Sequence, residues 1–234
     1  MSVTTAVILA GGLGTRLRGV VSDVPKPMAP VCGRPFLEHQ MDFWLGQGIR
    51  RFVLAVSYKH EAITGHFGAR YRAAELTYVV EETPLGTGGG MLLAARGLSE
   101  TFLVLNGDTF FDVDLAALTD FHRARFSSWS FALFRSTDTA RYMGMEVDAD
   151  GRVTALKSAS ATPGKAVNGG VYLAEPAAVA ASGYQAGQRA SLEDDLFPGM
   201  MAAGCTLYGK LFDAPFIDIG IPDDYFRAAT VLPV

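Results

Sequence analysis

A glycine-rich loop directly after a buried strand is the feature that most constrains the fold of this chain. Residues 6–10 form a short apolar run, which is typical of a strand buried on both faces. Gly11, Gly12 and Gly14 then break the run. Because glycine has no Cβ, the backbone N–H groups of such a loop can approach a phosphate group closely. The stretch therefore predicts a phosphate-binding loop at the carboxyl end of a central strand.

Polar and basic residues in the same stretch extend this prediction. Thr15 adds a hydroxyl group, and Arg16 adds a guanidinium group that can donate two parallel hydrogen bonds to phosphate oxygens. Lys26, held between Pro25 and Pro27, can supply a point charge. Together these residues predict a binding site for a triphosphate. The alternative, a plain glycine-rich turn, accounts for the glycines but not for the two cations.

Two widespread phosphate-binding motifs do not match this loop. The Walker A motif closes with Gly-Lys-Ser or Gly-Lys-Thr, and this chain has no lysine before Lys26. The dinucleotide-binding fingerprint requires a third glycine where this chain has Leu17. The sequence therefore argues against a P-loop NTPase and against a redox enzyme of the Rossmann type.

The loop carries a family resemblance. G-G-L-G-T-R-L at residues 11–17, followed by P-K-P-M at residues 25–28, resembles the signature of the sugar-1-phosphate nucleotidyltransferases. Members of that family join a sugar 1-phosphate to a nucleoside triphosphate and release pyrophosphate. The resemblance covers essentially the whole chain, and residues 20–30 are most similar to the family members that use GTP and D-glycero-α-D-manno-heptose 1-phosphate. It implies catalytic roles for Arg16 and Lys26, and nucleotide binding by Leu9, Ala10, Gly11, Gly12, Gly14, Thr15 and Arg16.

The composition is that of a globular α/β protein. The chain has 234 residues, of which 49% are hydrophobic, so it can bury a substantial core. Its net charge of −4 offers no general attraction to nucleic acid or to an anionic membrane surface. The 2 cysteines and 4 histidines lack metal-site spacing, and no apolar run is long enough for a signal peptide or a membrane span. We therefore expect a cytoplasmic protein with reduced cysteines, and no nucleic-acid or membrane partner.

Strand and helix patterns alternate along the first half of the chain. Strands are predicted at residues 52–56 and 76–80, and helices at residues 35–47 and 61–67. This alternation indicates a parallel sheet covered on both faces, and the resemblance implies a Rossmann-like three-layer α/β/α fold with a mixed, mainly parallel central sheet. We expect a single domain over residues 1–234, with a nucleotide-binding part at about 1–125 and a sugar-phosphate-binding part at about 126–234. No C-terminal β-helix domain is expected, and the sequence leaves open whether the chain forms a homo-oligomer.

A second functional stretch follows the strand predicted at residues 76–80. Glu81 and Glu82 precede a glycine-rich segment that contains Gly86 and Thr87, and ligands of open α/β sheets bind beyond the carboxyl ends of strands. A carboxylate at this point can accept hydrogen bonds from N1–H and the amino group of guanine. The resemblance places Glu81 where thymidylyl enzymes of the family have a base-reading glutamine. We therefore expect Glu81 to read the base of GTP, with Gly86 and Thr87 beside it. The alternative is that Glu81 and Glu82 only cap or solvate a strand end.

Two aspartates are candidates for a metal site. Asp108 follows an apolar run in the order Asn-Gly-Asp, and Asp218 lies between apolar residues, where a carboxylate needs a partner. Mg²⁺ prefers one or two carboxylates together with phosphates and water. The resemblance assigns both aspartates to the family's metal site, so we expect them to hold a catalytic Mg²⁺. Asp112 and Asp114 are more simply explained as the start of the helix predicted at residues 115–124.

The second half of the chain contains segments that resemble the sugar-binding part of the family. They imply sugar-phosphate contacts by Gly144, Asn168, Gly169 and Glu193, although Asn168 also fits a turn and Glu193 a helix start. The family pattern F-x-E-K-P is altered here, because Ser158 and Ala159 stand where its glutamate and lysine are expected. Either Lys157 or Lys165 can replace the missing charge, and we assign this role to Lys157.

The residues and the resemblance together predict a Mg²⁺-dependent transfer of GMP from GTP to a heptose 1-phosphate. Within the family, the alternatives are a mannose-1-phosphate guanylyltransferase and a glucose-1-phosphate thymidylyl- or uridylyltransferase. The altered F-x-E-K-P segment motivates an alternative of another class, a non-catalytic subunit that binds nucleotide sugars. A pure binding protein, however, has no need of the leaving-group chemistry that Arg16 and Lys26 offer.

Overall fold

Strands and helices alternate along the chain in the computed structural model, which describes residues 2–12, 17, 19–21, 23–136, 138, 141–142, 144–158 and 164–232. In chain order the elements are β1 (Thr5–Leu9), a 3₁₀ turn (Lys26–Met28), β2 (Pro30–Val31), β3 (Arg34–Pro35), α1 (Phe36–Gly46), β4 (Arg51–Val56), α2 (His60–Phe67), β5 (Arg70–Tyr71), β6 (Ala74–Val80), α3 (Gly86–Ala94), β7 (Phe102–Asn106), β8 (Thr109–Phe111), α4 (Leu115–Ala124), β9 (Trp129–Ser136), β10 (Gly144–Val147), β11 (Val153–Ser158), β12 (Lys165–Ala174), α5 (Pro176–Ala181), a π-helical turn (Leu192–Leu196), α6 (Phe197–Ala202), β13 (Leu207–Leu211), β14 (Phe216–Asp218), α7 (Pro222–Arg227) and a second 3₁₀ turn (Ala228–Thr230).

An eight-stranded sheet forms the centre of the fold, in the order β13-β9-β12-β7-β1-β4-β6-β5. Strand β1 pairs in parallel with β4 on one side and with β7 on the other, and β4 pairs in parallel with β6. Strand β12 is antiparallel to both β7 and β9, whereas β13 is parallel to β9. The predicted mixed, mainly parallel sheet is therefore confirmed.

Both faces of this sheet are covered. Ala6 and Ile8 of β1 lie in a core that includes residues of α1, α2 and α4. Val7, which points to the opposite face, lies in a second core with residues of α3, α5 and α6. The two cores on either side of the sheet produce the three-layer α/β/α arrangement that the sequence predicted. Among the described residues, no helix is both long enough and apolar enough to cross a membrane.

Polar side chains and a glycine lie at several element ends. Asp114 caps α4, as predicted, because its side chain accepts a hydrogen bond from the backbone N–H of Ala117 at 3.1 Å. Ser191 caps the π-helical turn by accepting from Asp194 N–H at 3.1 Å. Gly151, with a φ of +85°, lies in the turn between β10 and β11, which pair antiparallel.

A small ladder outside the large sheet was not predicted. Strand β14 pairs antiparallel with β8, and this register places Asp218 opposite Thr109. Next to the ladder, the backbone N–H of Ile219 donates to the carbonyl oxygen of Asp108 at 3.0 Å. The ladder therefore brings the end of the chain to the carboxyl end of β7.

The buried side chain of His122 connects α4 to β9 and to the residue that follows β12. His122 is only 3% exposed; its Nδ1 lies 2.9 Å from Ser130 Oγ and its Nε2 lies 3.0 Å from Glu175 Oε1. The hydroxyl group of Thr101 also donates to Glu175 Oε1, at 2.6 Å. Burial lowers the pKa of His122, and its hydrogen bond to Glu175 opposes that shift only in part. The ring is therefore held neutral in the folded state.

This burial predicts a loss of stability at mildly acidic pH. In the unfolded chain His122 binds a proton near the ordinary histidine pKa of about 6.5. In the folded chain its pKa is lower, so the unfolded chain binds more protons in this range. The free energy of unfolding should therefore fall as the pH drops through about 6.5. The slope contributed by one proton is at most about 1.4 kcal/mol per pH unit. Urea unfolding between pH 7.5 and 5.5 measures it. His122→Gln should remove this slope, whereas His66→Gln, a change at the surface, should keep it; equal slopes in wild type and His122→Gln would contradict the prediction.

Candidate active site

The carboxyl ends of β1, β4, β6 and β7 surround a cavity of about 470 Å³. This is the position at which open α/β sheets bind ligands. Among the predicted site residues, the cavity is lined by Leu9, Ala10, Gly11, Gly12, Lys26, Glu81, Gly86, Thr87 and Asp108. Gly14, Thr15 and Arg16 lie outside the described residues. The fold thus gathers most of the predicted nucleotide-binding and catalytic residues, from four separate segments, around one space.

Glu81 is a buried carboxyl group in the wall of this cavity. The residue is 8% exposed, and its Oε2 accepts a hydrogen bond from the backbone N–H of Leu85 at 2.9 Å. Burial raises the pKa of Glu81, and the hydrogen bond from Leu85 opposes that shift. Its other oxygen, Oε1, lies between two glycines, because a Cβ built on Gly11 or Gly90 would lie 2.7 or 2.6 Å from it. The backbone of Leu85, Gly11 and Gly90 therefore restricts the position of the Glu81 carboxyl group.

The glycines that follow Glu81 also have a packing role that was not predicted. Gly86 and Gly90 line the cavity. Gly88 and Gly89, however, both donate their backbone N–H groups to the carbonyl oxygen of Ala190, at 2.9 and 3.1 Å. A Cβ on Gly89 would lie 2.4 Å from the carbonyl oxygen of Gln188. The glycines therefore allow residues 188–191 to lie against the start of α3.

This packing brings a predicted sugar-binding residue to the rim of the cavity. Thr87 Oγ1 accepts from the backbone N–H of Leu192 at 3.0 Å and donates to Glu193 Oε2 at 3.4 Å. Ser191 also donates to Glu193 Oε2, at 3.3 Å. Glu193 therefore lies beside the cavity-lining Thr87.

An ion pair closes the opposite side of the cavity. Lys26 Nζ lies 2.7 Å from Asp108 Oδ2, and the two side chains are 10% and 32% exposed. Lys26 reaches this position from the 3₁₀ turn, and Asp108 from the loop between β7 and β8. The ammonium group of Lys26 and the carboxylate of Asp108 therefore lie together in the part of the cavity where the sequence predicted phosphate binding.

The second predicted metal ligand lies just beyond this wall and is also paired. Asp218 Oδ1 accepts from the backbone N–H of Gly220 at 2.7 Å, and Asp218 Oδ2 lies 3.2 Å from Arg141 Nη2. The other end of the Arg141 guanidinium, Nη1, is paired with Asp224. Arg141 was not singled out from the sequence as a site residue, because nothing in its neighbourhood marks an ion pair with residues that come so much later.

The donor groups at this end of the cavity suit a hard divalent cation. Asp108 and Asp218 are adjacent through the β8–β14 ladder. Asn106, which also lines the cavity, has a side-chain oxygen that is buried without a hydrogen-bond partner among the described residues. Mg²⁺ binds oxygen ligands of these kinds. The residues therefore fit the predicted Mg²⁺ site.

The remaining predicted sugar-side residues do not line the cavity. Lys157 is 54% exposed and forms its ion pair with Asp194 on the surface. Gly169 is buried against Phe111, whose Cδ1 would lie 2.4 Å from an added Cβ, so packing explains this glycine. Asn168 donates to the hydroxyl oxygen of Tyr172 at 2.8 Å and accepts from Gly170 N–H at 3.0 Å. Gly144 lies opposite Ser158 in the β10–β11 hairpin.

Two lining residues with polar side chains, Asn106 and Arg189, were not predicted from the sequence. Asn106 stands in the Asn-Gly-Asp stretch that was recognised for Asp108, so a signal was present. Arg189 is an exposed cation that has no hydrogen bond or ion pair within the described part of the chain. Its position depends on the contact of residues 188–191 with α3, which no local pattern indicates.

Comparison with known proteins gives a consistent result. The chain matches the family model described as "Nucleotidyl transferase" over residues 5–233. It is 40% identical over 224 residues to the D-glycero-alpha-D-manno-heptose 1-phosphate guanylyltransferase of Aneurinibacillus thermoaerophilus, a match that covers 95% of this chain and 96% of that protein. It is 36% identical over 231 residues to the mannose-1-phosphate guanylyltransferase of Mycobacterium tuberculosis, covering 97% of this chain but 64% of that protein.

Solved structures are similar along almost the whole chain. The crystal structure of HddC from Yersinia pseudotuberculosis superposes with a TM-score of 0.84 at 30% identity, covering 97% of this chain and 98% of that one. The structure of HddC complexed with GMP-PN has a TM-score of 0.81 at the same identity and coverage.

The glycines around Glu81 lead to a prediction about stability. Gly90→Ala should destabilise the protein by about 1–3 kcal/mol, because its methyl group would displace the Glu81 carboxylate and break the hydrogen bond to Leu85. Gly65→Ala is the matched control, since Gly65 is also in a helix but has no atom within 4 Å of an added Cβ. That change should stabilise the protein by about 0.5–1 kcal/mol. Chemical denaturation measures both, and a neutral Gly90→Ala would contradict the placement of Glu81.

Proposed function

Because the chain belongs to the nucleotidyl transferase family, we propose that it condenses GTP with D-glycero-α-D-manno-heptose 1-phosphate to form GDP-heptose and pyrophosphate. The observation that carries the proposal is the buried Glu81 carboxyl group in the wall of a strand-end cavity. The 40% identical relative that bears this activity in its name supports the choice of sugar. The GMP-PN complex of HddC supports a guanine nucleotide.

Glu81 is proposed to select guanine. Its carboxylate can only accept hydrogen bonds, and guanine presents two donors, N1–H and the amino group, on one edge. Uracil and thymine lack such a donor pair. Because Oε2 is already bound to Leu85 N–H, Glu81 is oriented before the nucleotide binds, which reduces the cost of ordering the site.

The chemistry is an in-line displacement at the α-phosphorus of GTP. An oxygen of the sugar phosphate forms the new bond as the bond to the pyrophosphate oxygen breaks, and no base is needed because the attacking oxygen is already anionic. The barrier is electrostatic, so positioning and charge neutralisation should dominate catalysis. We propose that Lys26 moves from Asp108 to the α-phosphate, and that Arg16 and the loop amides hold the β- and γ-phosphates. Mg²⁺ held by Asp108 and Asp218 would supply positive charge to the two reacting phosphate groups.

The other parts of the proposal follow from the same site. The nucleotide would occupy the cavity, whose lining residues except Arg189 precede residue 125, and the sugar phosphate would bind on the side of Glu193 and Gly144, within one domain. We propose that the enzyme works in the cytoplasm, where GTP is available, and that it has no nucleic-acid or membrane partner. Whether two or more copies associate is a separate question that sedimentation analysis would answer.

A substrate panel tests the proposed function. Pyrophosphate release is measured with Mg²⁺ while GTP, dTTP, UTP, CTP and ATP are crossed with heptose, mannose and glucose 1-phosphates. Release confined to GTP and the heptose is the expected result. Release with mannose 1-phosphate, which the 36% identical relative makes the second candidate, would keep the mechanism and overturn the sugar. Tight GTP binding without pyrophosphate from any pair would indicate the non-catalytic subunit.

Substitutions at the Lys26–Asp108 pair should act on turnover. Asp108→Asn and Lys26→Ala are each expected to lower kcat by at least about 100-fold, because each removes a charged group that contacts phosphate or its cation. Asp112→Asn, at a nearby but exposed aspartate, is the matched control and should leave kcat unchanged. Steady-state kinetics with a melting curve for each variant make the comparison. Full activity of a folded Asp108→Asn protein would contradict the assignment.

A further inference from the structure

The sugar-phosphate side of the site lacks the lysine that the family pattern leads one to expect, and the structure supplies a different cation nearby. We propose that Arg141 binds the phosphate group of the sugar 1-phosphate. This assignment rests on the proposed function, since it names a binding residue for the second substrate of that reaction. It is carried by the position of Arg141 beside Asp218 and Asp224.

Arg141 lies next to Asp218, one of the two proposed Mg²⁺ ligands. Its Nη2 is 3.2 Å from Asp218 Oδ2 and 3.4 Å from the Asp218 carbonyl oxygen. Asp218 lies opposite Thr109, which follows the cavity-lining Asp108. The guanidinium therefore lies near one end of the cavity, and its side chain, which is 22% exposed, is accessible to a phosphate group.

Arg141 contacts Asp224 more closely than it contacts Asp218, and this difference suggests how Arg141 acts. Nη1 is paired with Asp224, whose side chain is only 9% exposed and also bonds to Arg227 at 2.9 Å. The guanidinium also lies 4.7 Å from the ring centre of Tyr142, within cation–π distance. The contacts to Asp218, in contrast, are long for charge-assisted hydrogen bonds. Asp224 and Tyr142 can therefore hold the guanidinium while its Nη2 exchanges Asp218 for a phosphate oxygen.

This exchange keeps the charges balanced. In the described structure Arg141 faces Asp218 and Asp224, and Arg227 also faces Asp224. Replacing the Asp218 contact by a phosphate contact leaves the guanidinium paired with anions on both edges. It also releases Asp218 Oδ2, the oxygen that the proposed Mg²⁺ site requires.

The two lysines considered from the sequence are less suitable. Lys157 is exposed and paired with Asp194 on the outer surface of the β10–β11 hairpin. Lys165 is the closer alternative, because its side chain packs against Gly144. A Cβ added to Gly144 would lie 2.8 Å from Lys165 Cδ. Both lysines belong in the test.

The experiment separates the two substrates kinetically. Arg141→Ala should raise the KM for the heptose 1-phosphate at least about tenfold, because one charge-assisted hydrogen bond to its phosphate is lost. The Kd for GTP, measured by calorimetry without the sugar phosphate, should change less than about twofold, because the nucleotide cavity is intact. Arg141→Lys keeps the positive charge but cannot donate hydrogen bonds from two edges of a guanidinium group, so it should give an intermediate KM for the heptose 1-phosphate. This variant also keeps the test valid if the alanine variant unfolds.

Matched controls distinguish binding from support of the fold. Arg227→Ala removes the other arginine on Asp224 and should leave both constants unchanged. An unchanged KM for the sugar phosphate in Arg141→Lys and Arg141→Ala, a parallel loss of GTP affinity, or a larger effect in Lys157→Ala or Lys165→Ala would overturn the assignment. Wild-type protein that releases no pyrophosphate from any substrate pair would instead overturn the proposed function, and this assignment with it.

Discussion

The antiparallel pairing of β14 with β8 is the constraint on which the site depends. It places Asp218, near the end of the chain, opposite Thr109 and therefore beside Asp108. Phe110 and Ile217, which face each other in this ladder, are buried in a cluster that also contains Leu17 and Phe36. Backbone hydrogen bonds and apolar packing thus fix the position of the strand that carries the second carboxylate.

The charged groups at this end of the cavity form two ion pairs. Lys26 with Asp108 and Arg141 with Asp218 each combine a cation that suits a phosphate with a carboxylate that suits a metal ion. In a partly buried site, an unpaired charge costs far more than a paired one. Pairing them within the protein avoids that cost before substrates bind. Phosphates and a divalent cation would replace these contacts with equivalent ones, so binding need not leave any of the four groups uncompensated.

The sequence predicted those parts of the site that depend on local order along the chain. Glu81 was found because it directly follows a strand, and the residue after a central parallel strand lies at the ligand-binding edge. The Arg141 contacts join residues far apart in the sequence, and no local pattern encodes them. The role of Gly89 was missed for the same reason, because its neighbour is the carbonyl oxygen of Gln188.

The assignment of Lys157 to the sugar phosphate is weakened by strand geometry. Successive side chains in a strand point to opposite faces, so a difference of one position in β11 moves a side chain to the other face of the hairpin. The structure places Lys157 on an exposed face, where its partner is Asp194. Spacing alone did not determine which face of the strand the charge would occupy.

The most direct measurement of base selection by Glu81 is calorimetric binding of GTP and of inosine triphosphate, which lacks the exocyclic amino group. The buried carboxylate predicts that wild-type protein binds inosine triphosphate at least about tenfold more weakly than GTP, because an acceptor is left unsatisfied. Glu81→Gln should reduce this difference to less than about threefold. A neutral amide oxygen accepts a weaker hydrogen bond from the guanine amino group, so the absence of that group from inosine triphosphate costs less affinity. Equal affinities in the wild type, or an undiminished difference in Glu81→Gln, would contradict guanine recognition by Glu81.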